Sequence, residues 1–163
     1  MANPALILGI DPGLKLTGYA CISPNARNPI DHTLVEAGVI RLNPRHSLSR
    51  RLHQLHTDLN EVITEHSPGL LVVEKLFSHY KQVRTAIIMG HARGVILLAG
   101  QSHDIPLVEI APTEVKKSTT GNGHATKRQM QLAVMAQCRL KAPPSPPDVA
   151  DAIALALCAA RRM

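Results

Sequence analysis

Aromatic side chains are almost missing from this sequence: its 163 residues include no Trp, one Phe and two Tyr. A broad stacking platform for single-stranded nucleic acid needs several aromatic faces, so that mode of binding is not expected here. Cysteine is scarce as well. Cys21, Cys138 and Cys158 are odd in number, far apart and without a C-x-x-C pair. They supply neither a disulfide framework nor a cysteine zinc site, and fit a reducing compartment. Long hydrophobic runs are also lacking. "MANPALILGIDPG" has no basic segment ahead of its short apolar run, and "AIIMGHARGVILLAG" is broken by His91 and Arg93. Neither a signal peptide nor a membrane span is expected, and a cytoplasmic protein with no membrane partner is the reading.

Negative charge is the minority sign, with 12 Asp and Glu against 18 Lys and Arg, a formal net charge of +6 and a pI near 9.6. An anionic partner is implied, and a basic chain poor in aromatics suits phosphate-backbone contacts. With 45% hydrophobic and 18% charged residues, the sequence describes a folded chain, and its length suits a single domain spanning 1–163.

Apolar runs closed by turn residues predict strands at 5–10, 17–23, 33–42, 70–74 and 107–110. Leu48, Leu52, Leu55, Leu59 and Ile63 recur at helical spacing until Pro68-Gly69 stops them. Further helices are expected over 83–103, 112–119, 126–138 and 147–161. The order is three strands, a helix, a strand, a helix, a strand, then helices. It predicts an α/β domain on one mixed sheet, whose first three strands form an antiparallel meander and whose later strands join by parallel crossovers.

Four acids stand at the edges of apolar elements. Asp11 closes the first strand and Glu74 the fourth, and ligands of open α/β sheets gather at the carboxyl ends of strands. Taken singly, each reads as an ordinary turn or strand end. Asp148 and Asp151, after the "APPSPP" linker, open the last helix three residues apart. That spacing imitates a helix cap, and it also sets both carboxylates on one helical face. Gathered together, four carboxylates would repel one another unless a cation joined them. Mg2+ is a hard ion that takes carboxylate oxygens. Two such ions about 4 Å apart can activate a water and stabilise the leaving oxygen of a phosphodiester. Spacing alone leaves both readings of these acids open.

The residues then resemble a known family, the RuvC Holliday junction resolvases of the RNase H-like superfamily. The likeness is carried by "ILGIDPGLKLTGYA" at the start, "VVEKLF" at 72–77, "ARGV" at 92–95, "VKKSTTGNGHATKRQM" at 115–130 and "PPDVADAIALAL" at 146–157. These motifs fall in the family's order and cover most of the chain. The resemblance implies an RNase H-like fold, with a five-stranded mixed sheet flanked by helices on both faces. It implies a catalytic tetrad of Asp11, Glu74, Asp148 and Asp151 holding two Mg2+ ions, with Mn2+ as the other ion such a site accepts. It implies metal-dependent hydrolysis of DNA by a homodimer that makes paired symmetric nicks in a four-way junction, in recombination and repair. Branch-migration motor proteins are the further partners it implies. Lys116 and Lys127 match family lysines near the scissile phosphate, and Phe77 matches an aromatic that touches bases at the crossover. Beyond Phe77 this chain reads "SHYKQVRTA", without the Asn the family commonly carries there and with one extra residue before "ARGV".

Tyr80, Lys81 and Arg84 follow Phe77 in the same basic stretch and are expected DNA contacts, as are Lys117 and Arg128 flanking "TTGNGHA". The ordinary alternatives are a buried lone Phe and a solvated basic loop. His53 and His56 lie one helical turn apart, and with no further ligand nearby they read as a solvated face, together with His46, Arg50 and Arg51, which are expected to add non-specific attraction for DNA. Gly90 and Gly94 lie inside an apolar helix, where small residues permit close approach of another helix or of the sheet. Three other functions compete with the nuclease. An actin or sugar-kinase type phosphotransferase would need two such domains. A non-catalytic junction binder would not need four acids. A related nuclease acting on structured RNA shares the chemistry.

Overall fold

The computed structural model describes residues 5–28, 30–76 and 83–163. Its elements in chain order are β1 (Ile7–Asp11), β2 (Leu16–Ser23), β3 (Thr33–Arg41), α1 (Leu48–His66), β4 (Leu70–Glu74), α2 (Val83–Ser102), β5 (Leu107–Ile110), α3 (Pro112–Thr120), α4 (Lys127–Gln137) and α5 (Pro147–Ala160). The sheet order is β3-β2-β1-β4-β5. β1, β2 and β3 pair antiparallel, and β4 joins β1 and β5 in parallel, as the strand and helix order predicts.

Alternation along the strands divides the core in two. Leu8 and Ile10 of β1, with Leu71 and Val73 of β4, pack against α1 and α2 through Leu55, Leu59, Ala92 and Ile96. Ile7 and Val72 face the other way and meet α3, α4 and α5. Helices thus cover both faces of the sheet. α1 begins at Ser47, whose side chain accepts from the Arg50 N–H, and ends at Ser67 in the left-handed region. α4 opens with a capping box between Thr126 and Gln129, which fixes Lys127 as its first residue.

α5 is apolar almost all round and lies directly on the strand backbones. A Cβ on Gly18 would overlap the Asp148 carbonyl, and one on Gly9 would overlap the Ala152 carbonyl and come within 2.9 Å of the Ala156 nitrogen. Glycine at both positions lets the helix settle at that depth. Gly90 and Gly94 behave differently: nothing lies within 4 Å of a Cβ at either one. They pack against neither the sheet nor another helix of this chain, and face outward on α2.

Candidate active site

Strand parity places the first two acids. Gly9 and Asp11 point to the α5 side of β1, and Val72 and Glu74 point to the same side of β4. β1 and β4 are parallel neighbours in the register Ile10 opposite Val73, so Asp11 and Glu74 come next, side by side. The last two acids come from the first turns of α5, docked over the same strand ends. The cap of α5 is Pro146, and no side chain bonds there, so neither Asp148 nor Asp151 acts as the N-cap. Pro147 takes the first helical position, where a missing N–H costs nothing.

Asp11, Glu74, Asp148 and Asp151 line one cavity of about 690 Å3, whose walls include Lys15, Arg51, Lys116 and Lys127. Among the described residues that line it there is no His and no Cys. Burial, and then the charges of Asp151, Glu74 and Asp148, push the Asp11 carboxyl up from 3.8 to about 8, with Lys127 pulling the other way. Burial and Asp151 raise Glu74, against Lys116. Asp151 is raised by burial first and then by Asp148, against Lys127 and Lys116. The two lysines expected beside the acids are therefore close enough to act on them. No three of the four acids draw their oxygens within 4.8 Å of one another; they surround a space with room for a phosphate group.

Of the other expected contacts, Arg84, Lys117 and Arg128 are not part of the cavity lining. Lys117 on α3, Arg128 on α4 and Arg84 on the first turn of α2 are exposed. Phe77, Tyr80 and Lys81 lie outside the described residues. His56 contacts Asn60 on the next turn of α1, as a surface histidine does. Glu36, Glu65 and His66 bring ligand-type atoms within 4.8 Å of one another on the α1 side of the sheet. The Tyr19 hydroxyl donates to Glu36 at 2.7 Å, and His66 Nε2 lies 3.0 Å from the other Glu36 oxygen, so both carboxylate oxygens are engaged in bracing β2 and β3 against α1.

Two residues at the site escape the sequence reading. Arg93, read as a break in an apolar stretch and as part of the "ARGV" match but given no role, donates from Nη1 to the Glu74 carbonyl at 2.6 Å and pairs with Glu109 of β5. It holds the end of β4 beside β5. The available signal was a charge inside an apolar helix, which must find a partner. Arg51, read as part of a solvated face with a non-specific attraction for DNA, reaches the cavity wall and donates from Nη1 to the Leu14 carbonyl at 3.1 Å.

The profile of the family described as crossover junction endodeoxyribonuclease RuvC matches residues 7–159. The RuvC of Rhodopirellula baltica is 53% identical over 156 residues, covering 96% of this chain and 86% of that one. The RuvC of Thermosipho melanesiensis is 42% identical over 154 residues, covering 94% and 96%. Among solved structures, Thermus thermophilus RuvC superposes with a TM-score of 0.85 at 30% identity over 96% of this chain and 93% of that one. The same protein in complex with Holliday junction substrate gives 0.85 at 30% identity over 94% and 92%. The yeast mitochondrial resolvase Ydc2, at 12% identity and a TM-score of 0.69 over 98% and 78%, shares the fold. A profile match across nearly the whole chain, and relatives this similar over most of their length, place the chain in the RuvC family of crossover junction endodeoxyribonucleases.

Proposed function

We propose that this protein resolves four-way DNA junctions by metal-dependent phosphodiester hydrolysis at the Asp11, Glu74, Asp148 and Asp151 cleft. The observation that carries the reading is the convergence of four carboxylates from two strands and one helix in a cavity edged by lysines. Membership of a nuclease family and likeness to a RuvC that was solved with junction DNA support the substrate.

The donor set fits hard divalent ions. It offers carboxylate oxygens and neither His nor Cys, and burial with the neighbouring acids pushes Asp11 up to about 8, a crowding of negative charge that a cation would relieve. The four acids would hold Mg2+ or Mn2+, and the bound ions supply Lewis-acid charge at the scissile phosphate and lower the pKa of nearby water. The chain's own groups do the rest. Lys116 and Lys127 stand at the acids, where their charge offsets the negative charge that grows on the phosphate oxygens in the transition state. The β1 and β4 strand ends and α5 fix the acids in place before substrate arrives.

Paired nicks need two such sites, and α2 offers the surface. Val83, Ile87, Gly90, Gly94 and Leu98 fall on one face of that helix. Val83, Ile87 and Leu98 are 54%, 57% and 58% exposed. By length and composition α2 could cross a bilayer, but Arg93 in its middle bonds to β4 and β5, and Ala92, Ile96, Ala99 and Gly100 are buried on the domain. A second copy of the chain is the occupant we assign to the open face, since a two-fold axis would give one site for each of two equivalent strands.

The test is cleavage of four-way DNA, linear duplex and structured RNA in Mg2+ and in EDTA. The four-way junction should be cut at paired positions and only with the ion. Asp11→Asn, Glu74→Gln, Asp148→Asn and Asp151→Asn should each end cleavage while junction binding persists. Preferential cleavage of structured RNA, or full activity in any one of these variants, would overturn the assignment.

A further inference from the structure

We infer that Arg51, with Lys15 beside it, forms a second phosphate subsite in the cleft, one that takes a non-scissile phosphodiester of the strand being cut. This rests on the nuclease reading above and adds to it a path for the DNA backbone.

The cleft crosses the end of the sheet. On one side, Lys116 and Lys127 project from α3 and α4, which pack on the α5 face. On the other, Arg51 comes from α1, on the opposite face, and Lys15 from the turn between β1 and β2. Both pairs line the same cavity as the acids. The charges that act on Asp11, Glu74 and Asp151 include Lys116 and Lys127 but not Arg51. Arg51 makes no ion pair with any of the four acids, so its charge is open to another group in the cleft.

Its hydrogen bonding points to that role. Arg93, Arg139 and Arg162 each pair with a carboxylate, whereas Arg51 is in no ion pair among the described residues. One arm of its guanidinium is tied to the Leu14 carbonyl, and its buried Nε has no hydrogen-bond partner. The Nε stays enclosed, and the Nη2 end of this half-buried guanidinium, held in place by the Nη1 bond, is oriented in advance for a charge-assisted contact to a phosphate. Leu14 follows Asp11, Pro12 and Gly13, so the same bond also ties the turn after the catalytic strand to α1. Thr17 closes that turn by donating to the Gly13 carbonyl at 2.7 Å and accepting from the Gly13 N–H at 3.1 Å.

The experiment pairs Arg51→Gln and Lys15→Gln with junctions in which one phosphate at a time is neutralised as a methylphosphonate, stepping outward from the scissile position on each side. Binding is measured in Ca2+ across a salt series, and single-turnover cleavage in Mg2+. Gln removes the charge and is too short to keep the bond to the Leu14 carbonyl, so thermal unfolding of R51Q is recorded beside K15Q, which leaves that bond intact. R51Q should bind the unmodified junction roughly tenfold more weakly, with the salt slope reduced by about 0.9. One non-scissile methylphosphonate should weaken the wild type to the same extent and leave R51Q unchanged. Wild-type affinity and slope in R51Q, or additive losses at every position, would overturn the subsite. Should R51Q fail to fold, K15Q must show the same coupling to one phosphate, and its absence refutes the proposal. Cleavage of the unmodified junction by wild type keeps the two questions apart: without it the nuclease reading falls, and with it but no coupling only the subsite does.

Discussion

Replacing Asp11 by Asn should end cleavage and yet make the metal-free protein more stable at pH 8. Burial and three neighbouring carboxylates lift the Asp11 pKa from 3.8 to about 8. At about 1.4 kcal/mol per unit, a rise of about 4 units sets a ceiling of about 6 kcal/mol on the cost of ionising Asp11 in the folded state. The cleft is open to water and the acids have room to move apart, so the expected gain from Asn is about 1–3 kcal/mol. For a chain of 163 residues that corresponds to a rise in Tm of roughly 3–10 °C. The direction with pH is fixed by which state holds the proton. Between about pH 4 and 8 the folded wild type keeps a proton on Asp11 that the unfolded chain releases, so its stability falls as pH rises through that window. Asn carries no such dependence. The gap between the two proteins should open from pH 4 to 8 and stay level above, and adding Mg2+ should close or reverse it by stabilising the wild type. Thermal unfolding in EDTA over a pH series reads this directly. A variant no more stable than wild type at pH 8, or a gap that does not change with pH, would refute the account of a charge-crowded site.

Lys116→Ala and Lys127→Ala should lower the single-turnover rate on saturating junction by on the order of 100-fold with little change in affinity. Lys117→Ala and Arg128→Ala should instead weaken binding and reduce the salt slope by about one. Gly18→Ala should destabilise by roughly 1–3 kcal/mol and depress cleavage, because the added methyl meets the Asp148 carbonyl and must lift the start of α5; calorimetry and the cleavage assay report the two effects. Ile87→Glu should leave the fold intact and yield monomers in sedimentation at micromolar concentration, since it sets a charge in the middle of the open α2 face.

The elements could be read from the sequence because each announces itself locally. β4 and β5 fall on the expected residues, and α1 runs over its expected leucine stripe to the Pro68-Gly69 stop. Convergence of the acids is another matter. Spacing placed each acid at an element edge and, taken alone, favoured a helix cap for Asp148 and Asp151; the order of the family's motifs tipped the reading, and the structure brings the four acids to one cavity. Asp11 shares a face with Gly9, and Glu74 with Val72, so strand parity sends both toward α5, a relation that needs the sheet order. Arg51 was hidden for the same reason. On an amphipathic helix it looks solvated, and only the position of α1 against the β1–β2 turn brings it to the cleft. In α2, apolar residues occur on all sides, so periodicity could not say that Ala92 and Ile96 go inward while Ile87 and Leu98 stay out. Phe77, Tyr80 and Lys81 lie outside the described residues.

From Ala152 to Ala160 every residue of α5 is buried. A segment so enclosed cannot fray on its own, and β1 beneath it is the central strand. Amide hydrogens of β1 and α5 should therefore exchange only when the whole domain opens, later than those of the exposed first turn of α2. The acids carried by these two elements have no private way of coming loose. In a denaturant titration, loss of the acid geometry should follow the global unfolding curve instead of preceding it, so that a molecule which is folded at all is one whose carboxylates are already in place.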